Sequence, residues 1–446
     1  GQQPGLFGGP AFVLHKALAA AALAEALADR WGRDVVPIFW CAGDDHDHAE
    51  ATAAAWWAGE RRVEVTLPPR HHGAPQHPMT REPLPLADVR RARERLAHDL
   101  PPGPDRDRVL AWIDAHWRDG QTIASAFRDA IAALLAPYGV AVLDPTHPAF
   151  KRAQVPLLAR AIRDSASLDA VLAALPDAGT GIAAGDGATL VFVEGSAGRD
   201  RVMREGQRLR ARRGGDAWQE DELLALLASA PERFSANVLL RPVVEAALLP
   251  TVAYVAGPGE YRYLAAQASA LYAPLDVAPQ QPVPRWGGTL VDATAARLLD
   301  RVGVTAEAVL ADDGSLAHAI LRRDLDPSAL EALATLRAAI DRASAAADRT
   351  GRAIDGVLPR AVAARQRRLH DVTDNLEQLL ERHLKKRDDI ALAQYRRLQA
   401  RLRPADAPQE RAIGVAGMLG HFGDAWLDAV RLATRAWARD VTASAA

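Results

Sequence analysis

The sequence predicts an α/β protein: a parallel-sheet core interrupted by inserts, then a C-terminal antiparallel helical coiled-coil hairpin. Three observations carry this. Two continuous apolar runs, VVPIFWC at 35–41 and GVAVLD at 139–144, have the pattern of strands buried on both faces. Polar or glycine-rich loops follow the apolar runs, and in open α/β sheets ligands bind at the carboxyl ends of strands. From Pro327 onward, leucines recur at helical spacing between charged residues, as in a coiled coil.

The elements follow in order. Gly1 to Pro10 is a glycine-rich loop, and Phe12 to Trp31 is an Ala/Leu-rich helix stopped by Gly32. The strand at 35–41, the polar stretch Gly43 to Glu50 and an alternating strand at 63–67 complete the first part of the core, 1–67. Residues 68–120, rich in Pro, Arg and His, read as an inserted segment with one short helix around Leu86 to His98. The core continues over 121–175 with a helix at 123–135, the strand at 139–144 and a helical stretch at 150–172. A small β insert spans 176–235, where the arginines from 199 to 213 form the one basic run. Arg208, Arg210 and Arg212 fall on one side of a strand, which is either a solvated face or a surface for an anionic ligand or partner. The last part of the core, 236–326, holds the strand Val252 to Ala256 and the loop Gly257-Pro258-Gly259-Glu260. Over 327–403, Leu330, Leu333, Leu336 and Ile340 make one arm. Leu369, Val372, Leu376, Leu379 and His383 make the other, with Gly351 and Gly356 between them. Residues 404–446 form a last amphipathic helical segment.

Composition excludes several classes. The chain has 446 residues, enough for more than one domain. With 49% hydrophobic and 25% charged residues it is globular, not disordered. Lys+Arg 54 against Asp+Glu 56 gives a net charge of -2, which argues against nucleic acid as a partner. No apolar run reaches the roughly 20 residues of a membrane helix, so no membrane partner is expected. Cys41 is the only cysteine, which fits a reducing, cytoplasmic compartment.

Three regions could carry chemistry. In GQQPGLFGGPAFVLHK, Gly5, Gly8 and Gly9 allow close backbone approach, and the following helix start favours anions. The loop is therefore either a phosphate cradle or a structural turn. Gln2 and Gln3 offer amides that read both donors and acceptors, and Lys16 could add positive charge. The cluster Asp44-Asp45-His46-Asp47-His48 is the most polar in the chain; it suits proton shuttling or metal binding, or simply caps a helix. A structural zinc site lacks its ligand spacing, and no metal ligands are assigned. Cys41 could serve as a nucleophile, but it ends an apolar run beside acidic residues, as a packing residue does. Asn237 and Arg241 frame an apolar trio, and Arg241 suits a bidentate contact with an anion. Glu260 opens a helix and serves either a ligand or the helix dipole. Arg285 beside Trp286 is a further candidate.

Taken together, GQQPGLFGGP with Lys16, VVPIFWCAGDDHDH, GRDRVMREG, the segment from FSANVLLRP to GPGEYRYLAAQ, the Pro-Arg at 284–285 and RPADAPQER near 403–411 resemble one family: the bacillithiol biosynthesis cysteine-adding enzymes, cysteine ligases. The matching segments occur in the same order over almost the entire chain. The resemblance implies a Rossmann-like core similar to class I nucleotidyl transferases, with a first core strand ahead of the segment that opens this chain, and a coiled coil that makes a homodimer. It implies joining of cysteine to glucosaminyl-malate, with ATP or ADP and Mg²⁺ as the nucleotide. His46 is then the expected base, oriented by Asp45 or Asp47. Gln2, Gln3, Gly5, Gly8, Gly9, Lys16, Asn237, Arg241, Gly257, Gly259, Glu260 and Arg285 bind substrate or nucleotide. The departures include His15, where the family has a tyrosine, and Asp44 and His48 at the ends of the acidic loop. Two other readings stand beside this one: a non-catalytic nucleotide-binding dimeric scaffold or regulatory protein, and a metal-dependent hydrolase built on the acidic loop.

Overall fold

The structure, a computed structural model, describes residues 1–176, 179–182, 185, 187–323, 327–387 and 389–444. It divides into two units, residues 1–288 with 410–446, and residues 289–409.

Eleven strands are found among the described residues, all in the first unit: β1 Ile38–Trp40, β2 Ala53–Ala58, β3 Arg61–Thr66, β4 Ala141–Leu143, β5 Ala188–Gly195, β6 Gly198–Glu205, β7 Arg208–Ala211, β8 Ala217–Gln219, β9 Phe234–Ala236, β10 Ala253–Ala256 and β11 Gln281–Pro284. The Rossmann-like core uses two parallel pairs. β1 lies on β4 with Phe39 opposite Val142, and β10 lies on β11 with Val255 opposite Val283. Pro282 and Pro284 lack an N–H for a second neighbour, which makes β11 an edge strand. The apolar runs at 35–41 and 139–144 thus pair in parallel as expected, but they are not buried on both faces. Phe39 and Trp40 are buried and Val36 is exposed, while in β4 Ala141 is exposed and Val142 and Leu143 are half-buried.

The alternating run at 63–67 has a different partner from the core. β3 is half of an antiparallel hairpin with β2, whose sequence AAAWWA gives no strand alternation. Burial explains the pairing: Trp56 is fully enclosed and its Nε1 donates to Asp99. The helix Val415–Phe422 closes over it, with the Gly414 N–H donating to the Ala55 carbonyl.

β5 to β9 form one antiparallel sheet in the order β8-β7-β6-β5-β9. Val191, Val193, Val202 and Leu209 face a core shared with Leu158, Ile162, Leu223 and Leu227. The helix Phe12–Trp31 ends where the Gly32 N–H meets the Ala28 carbonyl, and it packs along the C-terminal helix Asp424–Ser444. The C-terminal tail is therefore part of the first unit.

In the second unit, Ala295, Leu298, Val302, Val309 and Ile320 share a core with Tyr395, Leu398 and Leu402. Helices between 293 and 322 therefore belong with the coiled coil, which starts the unit at 289 where the sequence suggests 327. The hairpin arms are Pro327–Ile354 and Leu358–Arg387. They run antiparallel, since Arg337 meets Asp374 while Asp341 meets Gln366 and His370. Between the arms Leu333 and Ile340 are buried, as are Thr373 and Glu377. Leu369, Val372, Leu376 and Leu379 instead stand exposed on the outer face. The side chain of His383 lies outside the described residues.

Candidate functional site

The site is assembled at the carboxyl ends of β1, β10 and β11, where an α/β sheet gathers ligand-binding loops. Gln2 lies beside the end of β1, its N–H on the Trp40 carbonyl and its own carbonyl accepting from Ala42. This register brings Gln3 to the acidic loop, where its Nε2 donates to Asp45 Oδ2 at 2.6 Å. The loop is clamped from the neighbouring insert. Met79 N–H donates to the Asp45 carbonyl, Thr80 N–H to the Gly43 carbonyl, and Arg70 Nη1 to the His46 carbonyl.

The five polar residues of that loop diverge. Asp44 turns inward, 3.9 Å from the buried Lys151 ammonium. Asp45 faces the cavity, its Oδ1 accepting the His46 and Asp47 N–H groups and its Oδ2 standing 3.6 Å from Arg241. Asp47 caps the short helix His48–Ala51 by accepting from the Glu50 N–H. Among the described residues no three acidic, imidazole or thiol groups gather as a metal site, so the hydrolase reading gains no support. Burial alone would raise the Asp45 carboxyl. The guanidiniums of Arg199 and Arg241, with the Gln3 amide, outweigh it and hold the carboxyl well below the ordinary carboxylate range. Burial and Arg199 lower His46, against the opposing pull of Asp45.

Arg199 is the residue that sequence reasoning missed. It sits on β6 with Arg201 two residues on, so both fall on one face, the face of Phe192 on β5. The Arg199 guanidinium lies 4.0 Å from the Phe192 ring centre and is 5% exposed. It donates to Ser235 Oγ and the Ala236 carbonyl, and its Nη1 lies 3.1 Å from His46 Nδ1. By contrast Arg208 and Arg212 are exposed and Arg210 pairs with Glu205.

Lys16 is buried and donates to Glu260 Oε2, to the Gly1 carbonyl and to Gln2 Oε1. Glu260 Oε2 also accepts the Gly257 N–H, so that carboxylate caps its own helix. Asn237 Oδ1 accepts the Leu239 and Leu240 N–H groups, and thereby starts the helix that carries Arg241. Arg285, at the end of β11, is held by Glu410, a second residue not anticipated from sequence. The same carboxylate accepts from His15 Nδ1 at 2.8 Å.

These side chains line one cavity of about 450 Å³: Gln2, Gln3, Lys16, Asp45, His46, Asn237, Arg241, Gly257, Gly259, Glu260 and Arg285, joined by Arg199, Arg201 and Arg411. Six basic side chains face two carboxylates there, so the cavity favours an anion. A larger cavity of about 1040 Å³ shares Gln3, Asp45 and His46 with it and adds Asp47, His48, Arg70 and His71. Asp47 therefore belongs to the second cavity.

The glycine loop corrects an expectation. Gly5, Gly8 and Gly9 are buried and do not line either cavity. A Cβ on Gly5 would stand 2.6 Å from Gly9 Cα, and one on Gly8, which has φ +92°, would stand 2.8 Å from Val415 Cβ. The helix start that was to hold phosphate is spent within the fold, the Ala11 N–H donating to the Ile413 carbonyl. These glycines permit close packing and offer no phosphate cradle.

Cys41 is buried, and its thiol is pushed up first by burial and then by Asp144. It is expected to resist alkylation by iodoacetamide at pH 8 in the folded protein and to react fully in denaturant, as read by intact mass. Labelling of the folded protein would contradict a packing role.

Parallel strand pairs that deliver polar loops to one basic cavity, together with a separate coiled-coil unit, define a Rossmann-like enzyme with an appended coiled coil. The N-terminal Rossmann-like domain of bacillithiol biosynthesis BshC matches residues 1–278, and the C-terminal coiled-coil domain of BshC matches residues 288–434. The BshC of Salinibacter ruber, a cysteine ligase by name, is 32% identical over 98% of this chain and 80% of its own length. Those of Symbiobacterium thermophilum and Bacillus mycoides are 30% and 27% identical, over 95% and 98% of this chain and 79% and 82% of theirs. The chain belongs to the bacillithiol biosynthesis BshC family, and it is a carbon–nitrogen bond-forming ligase.

Proposed function

We propose that this chain joins the carboxyl group of cysteine to the amine of a glucosaminyl-malate acceptor in the basic cavity. The observation that supports it is the charge of that cavity, six basic side chains against two carboxylates. Reactants that carry carboxylates are drawn to such a surface. Arg241 holds those carboxylates, while Asp45, kept ionised, fixes Arg241 and the Gln3 amide around the reacting centre. Arg285 is committed to Glu410 and shapes the wall beneath Phe12, whose ring centre lies 5.3 Å from its guanidinium.

Amide formation from a free carboxylate at neutral pH needs activation. The residues fit a nucleotide's phosphates through charge: Arg201 and Arg411, which line the same cavity, would hold them, with no contribution from the glycine loop. A nucleoside triphosphate with Mg²⁺ would supply the activation of the acyl group when bound.

The hairpin supports a homodimer. Leu369, Val372, Leu376 and Leu379 recur at 3-4 spacing on its outer face and are all exposed, the arrangement of a helical seam that lacks its partner. The single cysteine, a buried free thiol, supports a reducing, cytoplasmic location.

The test is turnover of cysteine and glucosaminyl-malate, with and without ATP, followed by mass spectrometry of the condensed product. Product only with ATP is the expected outcome. Product without ATP would remove the nucleotide from the scheme, and no product in either arm from folded protein would overturn the substrate assignment.

A further inference from the structure

We infer that Arg199 fixes His46 as a neutral imidazole with its proton on Nε2, so that His46 donates a hydrogen bond to the reacting carbonyl oxygen and does not take the amine proton. The inference rests on the ligase reading above and reverses the role expected from sequence, in which His46 is the base.

A guanidinium carries donors and no acceptor. Arg199 Nη1 lies 3.1 Å from His46 Nδ1, so that nitrogen must accept and cannot hold a proton. Arg199 has little freedom to yield. Its Nε is on Ser235 Oγ at 2.8 Å, its Nη2 is on the Ala236 carbonyl at 3.1 Å, and its plane rests on Phe192. With Nδ1 accepting, the neutral ring carries its one proton on Nε2. Among the described residues Nε2 has no hydrogen-bond partner, and His46 lines both cavities.

The charges around the ring agree. Arg199, Arg213 and Arg70 face it from the β insert and from the 68–81 segment, and all three disfavour the imidazolium. Asp45 is the opposing anion, its Oδ1 3.6 Å from Nδ1, but that oxygen already accepts two backbone N–H groups.

The chemistry follows. The acceptor amine, entering as the free base, forms the new C–N bond to an acyl group activated through an oxygen leaving group. The carbonyl π pair moves onto oxygen, where Nε2–H donates to it. The pair then returns, the C–O bond to the leaving group breaks with its electrons on that group, and the amine proton passes to water. His46 is a catalytic residue as a donor, and Arg199 is a positioning residue that acts through it.

The test has two readouts. Imidazole ¹⁵N NMR of the full chain, assigned by difference with His46→Gln, is expected to show unprotonated Nδ1 and protonated Nε2 at neutral pH. Arg199→Met is expected to mix the tautomers and to raise the pH at which His46 takes up its second proton. In turnover, His46→Gln keeps an N–H and is expected to lose at most about tenfold in kcat with the acid limb of the pH profile unmoved. His46→Ala is expected to lose about 10²- to 10³-fold. Protonated Nδ1 in the wild-type protein overturns the inference whether or not the substrates are the right ones. So does a His46→Gln enzyme as slow as His46→Ala while wild type turns over. Failure of turnover in wild type with the expected NMR signals counts against the ligase reading alone.

Discussion

Replacing Asp45 by alanine is expected to destabilise the fold by about 3–5 kcal/mol, the range for removing one partner of a buried ion cluster, and to lower turnover by at least about 10²-fold. The reason is what Asp45 leaves behind. Arg199 is buried, Arg241 is half-buried, and both look to this carboxylate for compensation. The Gln3 amide and the His46 N–H lose their acceptor at the same moment. Asn at the same position keeps a carbonyl for the His46 N–H but not the charge, so it is expected to fall between wild type and alanine. Urea unfolding read through the midpoint and slope separates the stability effect from the catalytic one. The pH dependence has a definite sign. A carboxyl depressed in the folded state contributes stability that is present above the unfolded value near 3.9 and lost as pH falls through the folded value. The Asp45→Ala protein should therefore lose less stability on acidification than wild type. An alanine variant within about 1 kcal/mol of wild type would show that the two guanidiniums do not depend on this carboxylate.

Much of the fold was legible because local patterns and tertiary demands agree. The helices Phe12–Trp31 and Ile123–Leu135 have the bounds their sequences predict, and the apolar runs before the acidic loop and before Pro145 became parallel strands. The loop after β1 was legible as a site for the same reason, since polar residues directly after a buried strand have few other places to go. Other features carry no local signal. Ala53–Ala58 shows no strand alternation, and only the enclosure of Trp56 makes it a strand. Arg199 belongs to an arginine-rich alternating run. What distinguishes it from Arg208 is Phe192 on the neighbouring strand and Asp45 more than a hundred residues earlier. The hairpin shows an ambiguity of period. A 3-4 rhythm identified the apolar stripe but not which helix it meets, and the inner face went to Thr373 and to Glu377, which pairs with Arg337. Glycines at 5, 8 and 9 were ambiguous between ligand and packing because both need close approach, and the Gly9 and Val415 contacts resolve it.

Glu410→Ala is the second large effect, expected to destabilise by about 3–5 kcal/mol although the residue lies 395 positions from one of its partners in sequence. The carboxylate holds the Arg285 guanidinium, His15 Nδ1 and the Gly288 N–H, and Trp286 covers the imidazole at 5.0 Å between ring centres. Removing it strands a buried cation and two donors. Removing both members of the pair should cost less than the sum, so a Glu410→Ala/Arg285→Ala cycle is expected to show a coupling of about 1–3 kcal/mol. Both ionisable partners set the same sign of pH dependence. Burial would raise the Glu410 carboxyl, but the His15 hydrogen bond and Arg285 bring it down to about 2. Its contribution is therefore complete above the unfolded value near 4.3 and is lost as pH falls toward 2. Burial lowers His15, against the pull of Glu410, so stability also drains as pH falls below the unfolded value near 6.5. Wild-type unfolding free energy should thus decline from about pH 6.5 downward, and Glu410→Gln should flatten the part of that decline below about pH 4.5. A Glu410→Gln protein with the same acid slope as wild type, or additive losses in the cycle, would mean that Arg285 and His15 find their compensation elsewhere.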